Sequence, residues 1–330
     1  MTTVEPEASP GEQATPAKPP KSTPKSTKAK LIDAARWVAI AVVIFFAAKS
    51  LIENWDEFWR TLQGIAWQSS VLSLVALVAS IGVGVYAWQT IVDDLGKPIG
   101  YARGAQINLV GSLGKYVPGS VWAYLLQMEL GKKAGLARAR IFTASLLHLG
   151  VGVVAALVLS ILAMPAVFAN SPNAWWLLVL LPLGLAALHP KILSWGTSLV
   201  LKLLRRPPLD HQLSYKMIGK VFLALVGVYA LQGVHLWLLA NSVGAPGFNG
   251  FVLCVGAMAI AMTSGTFAFI LPSGAGVREV VMVAVLTATA ISGPQALAFA
   301  LASRVMFTVA DLLTAGGAAL TARLQAARAK

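Results

Sequence analysis

Five ionisable side chains stand inside otherwise apolar stretches of this 330-residue sequence: Lys115, Arg278, Glu279, Arg304 and Asp311. Such groups cost free energy at membrane depth, so each is a candidate functional residue by default. Three are cations and two are anions, and this balance favours an anionic ligand of phosphate size. Either acid could pair with an arginine when no ligand is bound, or could bind a proton or a cationic head group.

Two breaks rich in glycine and proline accompany these charges. Lys115 lies in GSLGKYVPG (111–119), and Arg278 follows LPSGAG (271–276). A half-helix that begins inside a membrane points unpaired N–H groups and a positive dipole end at its tip, and glycines let a ligand approach the backbone. The candidate binding residues are therefore Lys115, Tyr116, Pro118, Gly119, Pro272, Gly274, Gly276, Arg278, Glu279, Arg304 and Asp311.

Structural ion pairs are the alternative interpretation of the same charges. Arg278 could neutralise its neighbour Glu279. Arg304 could neutralise Asp311, because seven residues place the two about 20° apart around a helix. Both interpretations remain open at the level of the sequence.

The overall composition excludes an ordinary soluble domain. Hydrophobic residues make up 57% and charged residues 12% of the chain, against about 25% charged in soluble proteins, and the mean hydropathy is +0.72. The net charge of +13 indicates cytoplasmic loops that face anionic lipid rather than nucleic-acid binding. A single cysteine, Cys254, excludes an intramolecular disulfide and a cysteine-built metal site. His148 and His235 are interpreted as helix-packing residues, so no metal, cofactor or catalytic residue is predicted.

The first 30 residues form a compositionally distinct tail. They contain six prolines and five lysines but no Leu, Ile, Phe, Tyr or Trp, so the tail is predicted to be disordered and cytoplasmic. It could contact anionic head groups or enzymes of envelope biosynthesis. A secretory signal is disfavoured because the apolar run 32–51 has 20 residues, more than the roughly 7–15 of a signal peptide.

Long apolar runs predict the membrane spans, at about 20 residues each. The predicted spans are 31–52, 67–92, 141–164, 174–190, 217–241 and 294–319. Lysine and arginine are concentrated in the tail, in residues 132–140, in the segment 191–216 and at the C-terminus, which predicts that both termini are cytoplasmic.

Two further apolar segments are interrupted. Residues 104–131 have cytoplasmic flanks but are too short to cross twice, which predicts a re-entrant hairpin from the inside. Residues 249–291 form either a second hairpin, entering from the outside, or two crossings, which would make eight segments in total. The repeated order of span, hairpin and span at 67–164 and 217–319 predicts an inverted repeat. The predicted fold is thus an all-α polytopic membrane protein of about six full spans and two re-entrant hairpins, like a transporter.

Two motifs together resemble a known family. Gly114-Lys115-Tyr116-Val117-Pro118-Gly119 followed by Trp122, with Leu271-Pro272-Ser273-Gly274-Ala275-Gly276-Val277-Arg278-Glu279 downstream, is similar to the lysylphosphatidylglycerol synthase transmembrane-region family, also called flippase-like domain proteins. The resemblance covers about residues 31–325. In the bifunctional synthetase/flippase, the similar domain moves the aminoacylated lipid between leaflets, and a related domain is fused to some archaeal dolichol-linked glycosyltransferases. These 330 residues leave no room for a soluble transferase domain, so the resemblance implies the translocation step alone.

The leading functional prediction is a non-enzymatic lipid flippase of the bacterial plasma (inner) membrane. Its cargo would be an anionic phospholipid or a polyprenyl-phosphate-linked lipid, for example lysyl-phosphatidylglycerol. The alternatives are a membrane-embedded glycosyl- or aminoacyl-lipid transferase component and a non-transporting scaffold for envelope assembly. No nucleotide-binding motif occurs in the sequence, and its oligomeric state is left open.

Overall fold

The computed structural model describes residues 52–53, 55–117, 121–170, 179–209, 211–241, 243, 245–268, 271–289 and 291–328. The predicted tail, nearly all of the predicted span 31–52, and the candidate residues Pro118 and Gly119 lie outside these described residues.

The described residues form α-helices joined by short turns, without any β-strand among them. In chain order the helices are α1 (Trp55–Gly64), α2 (Trp67–Asp94), α3 (Tyr101–Ser112), α4 (Val121–Lys133), α5 (Arg138–Ser160), α6 (Met164–Asn170), α7 (Leu180–Ala187), α8 (Pro190–Leu203), α9 (Tyr215–Ala240), α10 (Gly247–Phe267), α11 (Val277–Thr287) and α12 (Gly293–Arg328). Three short 3₁₀ turns occur at Leu113–Tyr116, Ile161–Ala163 and Pro272–Gly274.

Five of the described helices are long and apolar enough to cross a membrane: α2, α5 with the 3₁₀ turn that follows it, α9, α10 and α12. Four of them coincide with the predicted spans 67–92, 141–164, 217–241 and 294–319. The fifth, α10, is the first arm of the interrupted segment 249–291. The chain is therefore a multi-pass helical membrane protein.

The predicted span 174–190 is described only from residue 179 onward. There, helix α7 ends at Ala187 and α8 begins at Pro190, so most of α8 lies in the basic segment 191–216. Proline is favoured in the first turn of a helix because it has no N–H to leave unpaired. The Nδ1 atom of His189 also accepts a hydrogen bond from the N–H of Lys191 at 3.3 Å, which caps the new helix.

Local sequence signals also account for the start of α12. The Ser292 Oγ accepts a hydrogen bond from the Gln295 N–H at 3.3 Å, and the Gln295 side chain accepts one from the Ser292 N–H at 3.2 Å. This reciprocal pair is a capping box, which satisfies two N–H groups that the helix itself leaves unpaired.

The two predicted helix interruptions both occur. Helices α3 and α4 pack against each other around the first break, and α10 and α11 pack around the second. The arms of 12 and 13 residues in the first hairpin measure only about 18–20 Å at 1.5 Å per residue, less than the roughly 30 Å of a hydrocarbon core. The second pair is unequal, with arms of 21 and 11 residues.

Two apolar cores share the long helices α2 and α9. One core joins them to α5 and to the first hairpin, through residues such as Ile107 and Met128. The other joins them to α10, α11 and α12, through residues such as Met282 and Phe299. Helix α3 also packs on α12, α10 packs on α5, and the 3₁₀ turns Leu113–Tyr116 and Pro272–Gly274 contact each other. The two breaks therefore meet where these helices pack together.

Gly114 allows the first hairpin to close. A Cβ atom at this position would lie 2.7 Å from the backbone nitrogen of Ala123 in α4, where a fixed backbone cannot move aside. Gly114→Ala is therefore expected to lower the free energy of unfolding by about 1–3 kcal/mol through overpacking. Thermal unfolding of the purified protein in detergent would measure this.

The matched control is Gly219→Ala. Gly219 lies in α9, and a Cβ atom there would meet no heavy atom within 4 Å. Alanine has the higher helix propensity, so this variant should be neutral or more stable by up to about 1 kcal/mol. Equal unfolding temperatures for Gly114→Ala and the wild type would contradict the close packing of the hairpin.

Candidate functional site

A cavity of about 400 Å³ lies where the two breaks meet. It is lined by residues from both hairpins and from α2, α5, α9 and α12. Its volume falls within the range of small-ligand sites, about 300–1,000 Å³. We call it the central cavity.

Arg278, in the first turn of α11, is the most deeply buried cation that lines the central cavity. It is 5% exposed. The guanidinium donates a hydrogen bond to the Ser303 Oγ at 2.9 Å and stacks over the Phe307 ring, 4.1 Å from its centroid. Its Nε atom has no hydrogen-bond partner among the described residues. No described carboxylate forms an ion pair with Arg278 either.

A chain of buried hydrogen bonds holds Arg278 in place. The His235 ring bridges the Ser303 Oγ at 2.9 Å and the Ser73 Oγ at 2.6 Å. The hydroxyl of Ser73 also lies within hydrogen-bond distance of the backbone carbonyl of His235, at 3.1 Å. The Ser303 oxygen accepts from Arg278, so its own hydroxyl proton is free to donate to Nε2 of His235. This chain of hydrogen bonds orients the guanidinium.

Arg304 and Glu279 form the second charged contact. The Nη1 atom of Arg304 lies 3.3 Å from the Oε1 atom of Glu279 and donates to the carbonyl of Ser273 at 3.1 Å. The other carboxylate oxygen of Glu279 accepts the N–H of Gly276 at 2.6 Å, which caps α11. Glu279 is thus bound both to a cation and to the start of its own helix.

Lys115 and Asp311 form the third contact. The Nζ atom of Lys115 lies 2.6 Å from the Oδ2 atom of Asp311, and the Tyr116 hydroxyl donates to the same oxygen at 2.6 Å. Asp311 is 7% exposed. This pair connects the first break to α12. The pairings considered from the sequence, Arg278 with Glu279 and Arg304 with Asp311, are therefore replaced by Arg304 with Glu279 and Lys115 with Asp311.

The glycines of the second break have conformations that require glycine. Gly274 and Gly276 have φ angles of 64° and 87°, in the left-handed region. A Cβ atom on Gly274 would also lie 2.5 Å from the carbonyl oxygen of Gly265 in α10. Pro272 begins the 3₁₀ turn. Of the predicted site residues, six line the central cavity: Lys115, Tyr116, Gly274, Arg278, Arg304 and Asp311. Gly276 and Glu279 belong to the second break and contact each other, whereas Pro118 and Gly119 lie outside the described residues.

Polar side chains from α5 and α9 form another part of the cavity wall. Gln232, which is 6% exposed, and His148 both line the cavity. The Oε1 atom of Gln232 and the Nδ1 atom of His148 are buried without a hydrogen-bond partner among the described residues. The described residues contain no cluster of three or more His, Cys, Asp or Glu side chains that could hold a metal ion.

Comparison with known families identifies the kind of membrane domain. The family model for the lysylphosphatidylglycerol synthase TM region matches residues 34–314. The chain belongs to this family. The match confirms the resemblance drawn from the two motifs, and it supports a lipid-related function in the membrane. A search of curated proteins finds no match to the chain.

In this family member the two motifs that carry the resemblance form the two breaks that meet at the central cavity. The charges of both breaks and of α12 were predicted from the sequence, whereas Gln232, Ser73, Ser303 and Phe307 were not. His235, predicted to be a helix-packing residue, is fully buried, and its ring links Ser73 to the serine that holds Arg278. A polar residue near the middle of an apolar span was the available signal for Gln232.

Proposed function

We propose that this protein translocates a lipid with an anionic phosphate head group between the leaflets of a bacterial plasma membrane, without catalysing a chemical reaction. The observation that carries the proposal is Arg278, a guanidinium buried in the wall of the central cavity with no carboxylate paired to it among the described residues. A buried guanidinium to which no carboxylate bonds directly is costly, so a bound anion would stabilise it.

Phosphate suits this position for a geometric reason. The guanidinium presents a planar fork of donors, which matches two oxygens of one phosphate. One of these donors, Nε, is unpartnered, while the Phe307 ring fixes the plane of the group. Lys115 and Arg304 line the same cavity and would add to the attraction.

The surface of α12 supports a lipid rather than a free anion. Arg304, Thr308 and Asp311 line the cavity. On other faces of the same helix, Val305, Val309, Leu312 and Leu313 are exposed. A phosphate head group in the cavity would therefore have apolar helix surface nearby, against which its acyl or prenyl tails would remain in the hydrocarbon.

The packing of the helices supports alternating access to one site. If α2, the first hairpin and α5 correspond to α9, the second hairpin and α12, the contact of α3 with α12 corresponds to that of α10 with α5. The contacts of α2 with α12 and of α9 with α5 correspond in the same way. In each of these contacts, a helix of one repeat packs on a helix of the other. This arrangement is expected of two repeats that rock around a shared central site. Lys115 with Asp311 and Arg304 with Glu279 are the charged contacts that a bound phosphate would disturb.

Reconstitution in liposomes tests this function directly. A leaflet-specific assay would follow a labelled anionic phospholipid, its lysyl form and a polyprenyl phosphate in vesicles with and without the protein. We expect transfer of at least one phosphate-headed lipid at a rate well above that of protein-free vesicles. No transfer of any of them by folded protein would contradict the proposal. Formation of a new lipid product from an added sugar or aminoacyl donor would favour a transferase instead.

A further inference from the structure

The central cavity combines a basic part with a neutral polar part, and the two come from different helices. Lys115, Arg278 and Arg304 lie on the first break, α11 and α12. Gln232 and His148 lie on α9 and α5. The neutral pair takes no part in the hydrogen-bond chain that orients Arg278, so the phosphate-binding role proposed above does not explain it.

Unpartnered atoms in the two parts require opposite partners. The Nε atom of Arg278 is a donor and needs an acceptor, whereas the Oε1 atom of Gln232 is an acceptor and needs a donor. Both residues are more than nine-tenths buried and line the same cavity. A single ligand that satisfies both must carry an acceptor oxygen, as a phosphate does, and a hydroxyl or N–H group.

The charges around the cavity indicate whether the donor on the ligand head group is a hydroxyl or an ammonium group. Among the described residues, the two carboxylates near the basic part already have partners. Asp311 binds Lys115 and Tyr116, and Glu279 binds Arg304 and the N–H of Gly276. Three cations and two anions leave one positive charge, which a single phosphodiester would balance. A cationic head group would find no spare carboxylate and would be repelled by Arg278.

We propose that the central cavity selects a monoanionic phosphodiester lipid whose head group carries a neutral hydrogen-bond donor, such as a glycerol or sugar hydroxyl, and that it discriminates against an aminoacylated, cationic head group. Arg278 binds the phosphate, and Gln232 accepts a hydrogen bond from the hydroxyl. The proposal rests on the proposed function only in taking a lipid as the ligand.

Equilibrium binding to the full-length protein in detergent tests this selectivity without requiring transport. The probes are dioctanoyl forms of phosphatidylglycerol, phosphatidylmethanol and lysyl-phosphatidylglycerol. Phosphatidylmethanol keeps the phosphodiester charge but lacks the head-group hydroxyls, and the lysyl form adds ammonium charges. We expect phosphatidylglycerol to bind about tenfold more tightly than phosphatidylmethanol, as one or two buried hydrogen bonds would provide. The lysyl form should bind at least about tenfold more weakly than phosphatidylglycerol.

Gln232→Leu separates the two parts of the cavity. The change keeps the size of the side chain and removes a buried acceptor that has no protein partner, so the variant should fold as well as the wild type. It should bind phosphatidylmethanol normally but lose the preference for phosphatidylglycerol. The matched control is Gln68→Leu, since Gln68 is exposed in the first turn of α2 and should have no effect. Arg278→Ala should weaken both lipids together.

Three results would overturn the inference. The first is lysyl-phosphatidylglycerol binding as tightly as phosphatidylglycerol, and the second is an unchanged preference in Gln232→Leu. The third is water-soluble glycerophosphoglycerol binding as tightly as the lipid, which would assign the cavity to a free phosphodiester. Selective binding without transfer in liposomes would contradict the proposed function but leave this inference intact. Transfer of lipid without any head-group discrimination would support the proposed function but contradict this inference.

Discussion

Arg278→Ala is expected to reduce lipid transfer in liposomes by a factor of at least about 30. The variant removes the buried donor fork that we place on the phosphate, and truncating one partner of a buried, hydrogen-bonded charge pair costs about 2–5 kcal/mol, or roughly 30-fold to several-thousand-fold. The measurement is the initial rate of leaflet-specific transfer, normalised to the amount of folded protein in the vesicles.

Two further variants make the Arg278 experiment specific. Arg278→Lys keeps the positive charge but lacks the planar fork and the stacking on Phe307, so it should restore only part of the rate. Arg323→Ala removes an exposed cation near the end of α12 and should transfer lipid like the wild type. Wild-type rates for folded Arg278→Ala would show that Arg278 does not bind the cargo, and the guanidinium would then be a structural group that links α11 to α12 through Ser303.

The ionisable residues of the site could be found from the sequence, because a charged side chain in an apolar stretch costs free energy at membrane depth whatever it contacts in the folded protein. The same reasoning could not choose the partners. Lys115 and Asp311 are 196 positions apart in the chain, and only the packing of α3 and the first break on α12 brings them together. The neighbours in sequence, Arg278 and Glu279, instead bind Ser303 and Arg304, respectively.

Serine and glutamine in spans gave weaker signals than charge. A serine hydroxyl in a helix can bond to a carbonyl of its own helix, as Ser80 and Ser160 do, so its presence implies no tertiary partner. Ser73 and Ser303 look the same in the sequence but contact His235. The start of α8 at Pro190 shows a different difficulty. The basic residues of 191–216 predict the side of the membrane, but they do not indicate whether the backbone is helical.

The ion pair between Lys115 and Asp311 gives the second large expected effect, on stability. Lys115→Met should leave Asp311, 7% exposed, with the Tyr116 hydroxyl as its one side-chain partner among the described residues. Asp311→Asn should leave the lysine without its counterion. Breaking a fully buried pair costs about 3–5 kcal/mol, but the Lys115 side chain is 33% exposed, so water will screen part of the loss and we expect about 1–3 kcal/mol for either single variant.

The double variant Lys115→Met/Asp311→Asn distinguishes an ion pair from two independent contacts. Replacing both partners removes both charges, so it should be more stable than the sum of the two single changes predicts, by at least about 1 kcal/mol. Thermal unfolding in detergent of the wild type, the two single variants and the double variant measures this coupling. Strictly additive losses would mean that the 2.6 Å contact contributes nothing as a pair. In that case, disturbing this ion pair by binding a phosphate in the cavity would not change how strongly the first break is held to α12.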